Sequence, residues 1–299
     1  MNAKVITHPR HVEPVSPVAV PPLSTVEVAC PLCGEAGGSE WGRENGFTAV
    51  KCAACGLVYV SRRPDDAHIS EATKVGQHRS ETESLNFVYK RSARKIRRYR
   101  KMVRKALGAA HPRQPVSWLD IGAGFGELIE ALQEVLLSGS EIFGVEPMGP
   151  KADAARQRGI PITSDPLASI TRQFDFVSLV NVLSHLPDPR EFLGEIARLV
   201  KPGGYMLLVT GNGGDLDSSR DYPDRLDLPD HLLFAGRGHV AQFLAESGFE
   251  LVHANARRID TPLWAAKLLV KRMLGKPVPL IMPLRSPFRD MQYLARRAA

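Results

Sequence analysis

One short segment restricts this 299-residue chain more than any other. Trp118-Leu119-Asp120-Ile121 suits a strand, and Gly122-Ala123-Gly124-Phe125-Gly126-Glu127 turns from it directly into an amphipathic stretch that suits a helix. Three glycines in this turn permit left-handed torsions and let the backbone come close to a ligand. A dinucleotide fingerprint would place its third glycine at position 127, which is Glu127. Asp120 would also repel a pyrophosphate seated at the helix N-terminus. The turn therefore suits a cationic ligand, such as a sulfonium amino acid whose ammonium group needs an acceptor.

From Val116 onward, apolar runs alternate with amphipathic segments, which predicts a doubly wound α/β unit with a mostly parallel sheet. Strands are expected at 116–121, 141–146, 160–163, 174–180, 205–210 and 249–256, and helices at 126–137, 151–158, 189–200 and 238–247. Residues 211–230 hold six aspartates and three glycines with no helical period, so they read as a long functional loop, an acidic solvated lid.

The four cysteines fall as Cys30-Pro31-Leu32-Cys33-Gly34 and Cys52-Ala53-Ala54-Cys55-Gly56, separated by 18 residues. Two such knuckles at this spacing read as a four-thiolate zinc ribbon, in which Cys30, Cys33, Cys52 and Cys55 close a structural site with no ligand position left for water.

Charge divides the chain further. The net +7 splits into −1 over residues 1–78, +9 over 79–105, −9 over 106–256 and +8 over 257–299. A chain that grips nucleic acid along its whole length would not carry an acidic centre. The stripe Leu85, Val88, Ser92, Ile96, Tyr99, Val103 and Leu107 predicts an amphipathic basic helix, and 262–274 predicts another in the tail. No apolar run approaches the length that spans a bilayer, and the first 28 residues, with five prolines, lack the apolar stretch of a secretory leader. A cytoplasmic address is expected. The organisation reads as a disordered arm at 1–28, a zinc ribbon at 29–60, a linker and basic helix at 61–114, a catalytic domain at 115–258 and a basic tail at 259–299.

At this point the chain resembles the class I S-adenosylmethionine-dependent methyltransferases, whose first motif has the form D-x-G-x-G-x-G. The resemblance covers about residues 116–256 and implies a Rossmann-like seven-stranded sheet with S-adenosylmethionine as cofactor. It assigns Asp120, Gly122, Gly124 and Gly126 to the methionine part and Glu146, followed by Pro147, to the ribose hydroxyls. Asp165 falls to the adenine amino group, and Asn181 and Val182 to the cofactor-facing segment after the fourth strand. Leu186-Pro187-Asp188-Pro189 and Lys201-Pro202-Gly203-Gly204 fit the same family. The continuation Cys55-Gly56-Leu57-Val58-Tyr59-Val60, with Arg63-Pro64, is similar to a subgroup carrying an N-terminal zinc ribbon, whose members often act on sugars, glycan precursors or secondary metabolites. The chain departs from that subgroup in one respect, since Ile69 to Arg79 contains no aromatic residue.

Methyl transfer from a sulfonium is a displacement in which alignment in a dry site does much of the work. A base is needed where the acceptor is a hydroxyl, and His185 and His231 are the candidates. A cytosine C5-methyltransferase needs a cysteine nucleophile, and the ribbon claims all four. An adenine amino-methyltransferase would carry an Asp/Asn-Pro-Pro-aromatic tetrad where Asn181-Val182-Leu183-Ser184 stands. The expected activity is O-methylation of a small anionic metabolite, sugar or glycan precursor. The alternatives are a zinc-ribbon RNA methyltransferase and a cofactor-binding scaffold without turnover. The tail helix interleaves Trp264, Leu268 and Leu269 with Lys267, Lys271 and Arg272, a pattern expected of peripheral membrane contact.

Overall fold

The computed structural model describes residues 24–75, 92–275 and 284–298. The first described part holds β1 (Thr25–Glu27), β2 (Gly38–Glu44), β3 (Phe47–Cys52), β4 (Val58–Val60), β5 (Arg62–Pro64) and α1 (Asp66–Val75). Next come α2 (Ala93–Leu107), β6 (Ser117–Ile121), α3 (Glu127–Val135), β7 (Glu141–Val145), α4 (Gly149–Arg156), β8 (Ile162–Thr163), β9 (Phe174–Val180), α5 (Pro189–Leu199) and β10 (Val200–Gly211). β11 (Leu233–Phe234), α6 (Arg237–Glu246), β12 (Phe249–Arg257), α7 (Pro262–Met273) and β13 (Asp290–Arg297) complete it.

Seven strands form one sheet in the order β12-β13-β10-β9-β6-β7-β8. The run from β10 to β8 is parallel, and β13 is antiparallel to both of its neighbours. Strand order reverses at β6, which lies between β7 and β9, so a crevice opens at the carboxyl ends of those strands. The seventh strand comes from the segment expected to be a basic tail beyond residue 258. Met291 to Ala295 are all buried because β13 is an interior strand, so its sequence shows no alternation of apolar and polar residues. Two of the tail's bases serve that strand: Arg296 Nε donates to the Gly203 carbonyl at 3.1 Å, and Arg297 donates to that of Val200.

One face of the sheet is covered by α2 and α3. Trp118, Phe176 and Tyr205 stack across three adjacent strands, with ring centroids 4.8 and 5.3 Å apart. Trp118 is wholly buried; an indole of about 200 Å² contributes at most ~5 kcal/mol by area. Ser92 caps α2 through the Lys95 N–H, and Ile96, Tyr99, Val103, Ala106 and Leu107 form its buried stripe. The expected positions Leu85 and Val88 lie outside the described residues. Part of the basic face of α2 is spent on α3, through Lys95 with Glu127 at 3.0 Å and Arg100 with Glu134.

The other face carries α5, α6 and the cysteine-bearing hairpins, and here the expected domain division fails. Leu32, Leu57 and Tyr59 belong to the same buried cluster as Leu193, Phe243 and Leu244. The sheet β2-β3-β4 gains β11 as its fourth strand, with Leu233 opposite Tyr59 and Phe234 opposite Val58. A hairpin this small has too little core to stand alone, and it completes one by packing on α5 and α6. Within the segment expected to be a disordered arm, Thr25–Glu27 is a strand paired with Arg62–Pro64, while residues 1–23 lie outside the described residues. No helix among the described residues is long and apolar enough to cross a membrane.

Candidate active site at the carboxyl edge of the sheet

The glycine turn closes β6 where β7 ends. The N–H groups of Gly122 and Ala123 both donate to the Val145 carbonyl, at 2.8 and 3.0 Å. Gly122, Gly124 and Gly126 have φ of 71°, 56° and 80°, which only glycine adopts without strain. Their surroundings differ. A Cβ on Gly122 would lie 2.5 Å from Val182 Cγ2 and one on Gly126 2.8 Å from Ile160 Cγ2, whereas one on Gly124 would meet nothing within 4 Å. The first and third glycines are thus required by protein packing, and the second faces open space.

Two carboxylates flank that space. Asp120 is buried and accepts the Ser178 hydroxyl at 2.6 Å, and Ser178 in turn accepts the Trp118 indole N–H at 2.9 Å. Burial pushes the Asp120 carboxyl up to about 7, the Ser178 hydrogen bond opposing and the charge of Glu146 adding. Glu146 Oε2 accepts the Gly124 N–H at 2.7 Å and Oε1 accepts that of Met148 at 3.0 Å. These bonds aim the carboxylate over the turn and leave each oxygen a further lone pair. Pro147 is exposed beside it. Asp165 follows β8 on the surface and accepts the Thr163 hydroxyl at 2.5 Å. Asn181, at φ 56°, anchors its N–H on the Val209 carbonyl at 2.8 Å and starts the turn that carries Val182 against Gly122. All nine expected cofactor residues therefore gather at one edge.

His185 and His231 meet at the same edge, with rings 4.9 Å apart. His185 Nδ1 lies 2.9 Å from the Asp230 carbonyl oxygen and 3.2 Å from its carboxylate. Both are acceptors, so Nδ1 holds the proton and Nε2 the lone pair. Burial alone would lower the pKa of His185, but the hydrogen bond and charge of Asp230 prevail and raise it above its ordinary 6.5. His231 Nδ1 is held by the Leu226 carbonyl at 2.8 Å. A small cleft runs past His185 and Asp230, with Pro64, His68, Ile69 and Thr73 on its far wall.

Two of these features escape the sequence reading. His68 Nδ1 is buried with no hydrogen-bond partner among the described residues, and Asp230 is the residue that orients His185. Ser178 left a trace in the sequence as a small polar residue amid the apolar run Phe176–Val180, although the same strand also carries Asp175. The acidic loop also differs from a solvated lid. Leu216, Leu226 and Leu228 are buried with Trp41, Val58, Val60 and Phe234. Trp41 Nε1 donates to the Leu216 carbonyl at 3.3 Å, and Asn45 Nδ2 to that of Leu228 at 2.7 Å. The aspartates between these leucines mask their packing in the sequence.

The four cysteine sulfurs lie within 4.8 Å of one another, with Cys30 to Cys55 and Cys33 to Cys52 at 3.5 Å. A tetrahedral zinc with Zn–S of about 2.3 Å has S···S edges of roughly 3.8 Å, so the donor set fits that ion. Burial raises Cys30 and Cys55, while at Cys52 the N–H groups of Cys55 and Ala54 outweigh burial and bring it to about 7. Deprotonated together, four sulfurs this close would need a cation to balance them.

A family model described as a methyltransferase domain matches residues 89–254. The ubiquinone biosynthesis O-methyltransferase of Proteus mirabilis is 33% identical over 104 residues, 31% of this chain and 41% of that protein. The protein of the same name from Aeromonas salmonicida is 36% identical over 104 residues, 31% and 42% of the two chains. The chain thus spans less than half the length of these curated relatives. Among solved structures, a provisionally assigned sarcosine dimethylglycine methyltransferase from Galdieria sulphuraria aligns with a TM-score of 0.52 at 17% identity, covering 69% of this chain and 86% of that one. The [4+2]-cyclase SpnF aligns with a TM-score of 0.50 at 17% identity, over 67% and 82%. At such identity these two likenesses show the fold alone.

Proposed function

The chain belongs to the methyltransferase-domain family, and from that premise we propose that it uses S-adenosylmethionine to methylate a hydroxyl of a small anionic metabolite, sugar or glycan precursor. When bound, the cofactor supplies an electrophilic methyl on a sulfonium. The open space over Gly124 takes its methionine part, Asp120 accepts the ammonium group, and the second lone pairs of Glu146 accept the ribose hydroxyls. His185 removes the acceptor's proton through Nε2, with Asp230 holding the ring and stabilising the imidazolium. His231 lines the acceptor side beside it. The observation that supports this reading best is the placement of the glycine turn and the His185–Asp230 pair at one sheet edge, after β6 and β9. The four cysteines are read as a structural zinc site.

Methyl-labelled S-adenosylmethionine offered in parallel to small metabolites, lipid extract and total RNA tests the acceptor class. Label should enter the small-molecule or lipid fraction, and His185→Asn should reduce it by about 10²-fold or more, the usual loss for a general base. Label confined to RNA and abolished by ribonuclease would overturn the proposal.

A further inference from the structure

Between β12 and β13 the chain leaves the sheet, and it does so at the edge that carries the candidate site. β10 and β12 are both antiparallel to β13, so Arg257 ends beside Asp290, which in turn pairs with Gly211. The returning limb of this excursion is fastened to the acceptor-side loop. Ser286 Oγ donates to the Asp221 carbonyl at 2.8 Å, the Arg289 N–H to Asn212 Oδ1 at 2.5 Å, and the Phe288 ring stands 5.1 Å from that of Tyr222. The outgoing limb is pinned at Asp260, fully buried and bonded to Arg258 and the Ser286 N–H. The segment that leads into α7 is therefore fastened, through Asp260 and Ser286, to the loop on the acceptor side.

The helix itself is inverted in character. Thr261 caps it, and Leu268 is its one buried residue. On the opposite side Leu263, Val270 and Met273, at helical spacing, are 73%, 54% and 79% exposed, with Leu269 and Leu274 next to them at 52% and 71%. Its charged residues are Lys267, Lys271 and Arg272, and it contains no acid. Flexible aliphatic side chains facing water, bordered only by cations, match the interface of an anionic bilayer, where the aliphatics enter the acyl boundary and the bases meet phosphate. Twelve residues are too few to span it. We propose that α7 docks this protein on an anionic lipid surface. If the methyltransferase reading holds, on which this consequence rests, the acceptor reaches the His185 cleft from that surface.

Flotation of the full chain with vesicles tests the proposal, comparing phosphatidylcholine alone with phosphatidylcholine containing phosphatidylglycerol. The wild type should float with the anionic vesicles at least tenfold more than with the neutral ones. The triple variant Leu263→Glu, Val270→Glu, Met273→Glu should lose that binding at least tenfold. Its affinity for S-adenosylhomocysteine should stay at the wild-type value, because the three side chains already face water. Failure of the wild type to float, or flotation of the variant at the wild-type level, would overturn docking. So would wild-type dimers that the variant abolishes in a protein that ignores vesicles, since the patch would then join two copies. Flotation by a wild type that binds no S-adenosylhomocysteine would support docking and count against the methyltransferase reading alone.

Discussion

Asp120 shows what a buried carboxyl costs the fold. Its carboxyl is buried and pushed up to about 7, against an ordinary value of 3.8. Between those values the unfolded chain releases a proton that the folded chain keeps, so stability falls as pH rises through that window. Asp120→Asn removes the effect. Without ligand, denaturant unfolding should show the variant gaining on the wild type between pH 4 and pH 8, by at most ~4 kcal/mol at 1.36 kcal/mol per unit. An equal difference at both pH values would mean that the carboxyl does not titrate there. The position of Asp120 was legible from its spacing to Gly122 and Gly124. Its partner Ser178 was not assigned, because nothing in the sequence says which neighbouring strand a buried carboxyl will face. His185 is raised as well, but by a partner that favours its charged form rather than by burial: the acid limb of turnover should lie above pH 6.5, and Asp230→Asn should move it down, because the partner that raises His185 is then neutral. An unchanged limb in that variant would assign the proton transfer elsewhere.

Among elements, the short strand β11 joins the two halves of the site. Val60 N–H donates to the Leu232 carbonyl at 2.9 Å, and Leu232 N–H donates to that of Ser184 at 2.7 Å. One residue thus ties the end of β4 to the turn that carries His185. His239 adds a second tie, its Nε2 lying 2.8 Å from the Cys55 carbonyl. Loosening the cysteine cluster should therefore disturb the histidines before it disturbs the glycine turn, which rests on β6 and β7. Cys52→Ser should lose bound zinc by metal analysis and lower turnover at least tenfold. S-adenosylhomocysteine affinity should change less than threefold. Equal loss of turnover and cofactor affinity would show instead that the whole molecule depends on the cluster. The C-x2-C pairs and the α2 stripe were legible because each repeats at a fixed spacing. A two-residue strand such as Leu233–Phe234 has no period of its own and exists only through its partner β4.

For the molecule as a whole, folding joins segments that look separate along the chain. The cysteine-bearing hairpins share the α5–α6 core, and residues expected to form a tail supply β13 at the interior of the sheet. Both errors have one cause: contacts between residues far apart in the chain leave no local trace, whereas β6 and its turn are written in ten consecutive residues. That turn is also where the function is most exposed to test. Calorimetric titration with S-adenosylhomocysteine should show one site per chain. Gly124→Ala, whose methyl meets no protein atom, should leave the chain folded and abolish that binding. Glu146→Ala should weaken it by about 1 to 3 kcal/mol, the cost of polar groups left without partners. Tight binding of NAD with none of S-adenosylhomocysteine, or undiminished binding in Gly124→Ala, would contradict the assignment of this edge to the methyl donor.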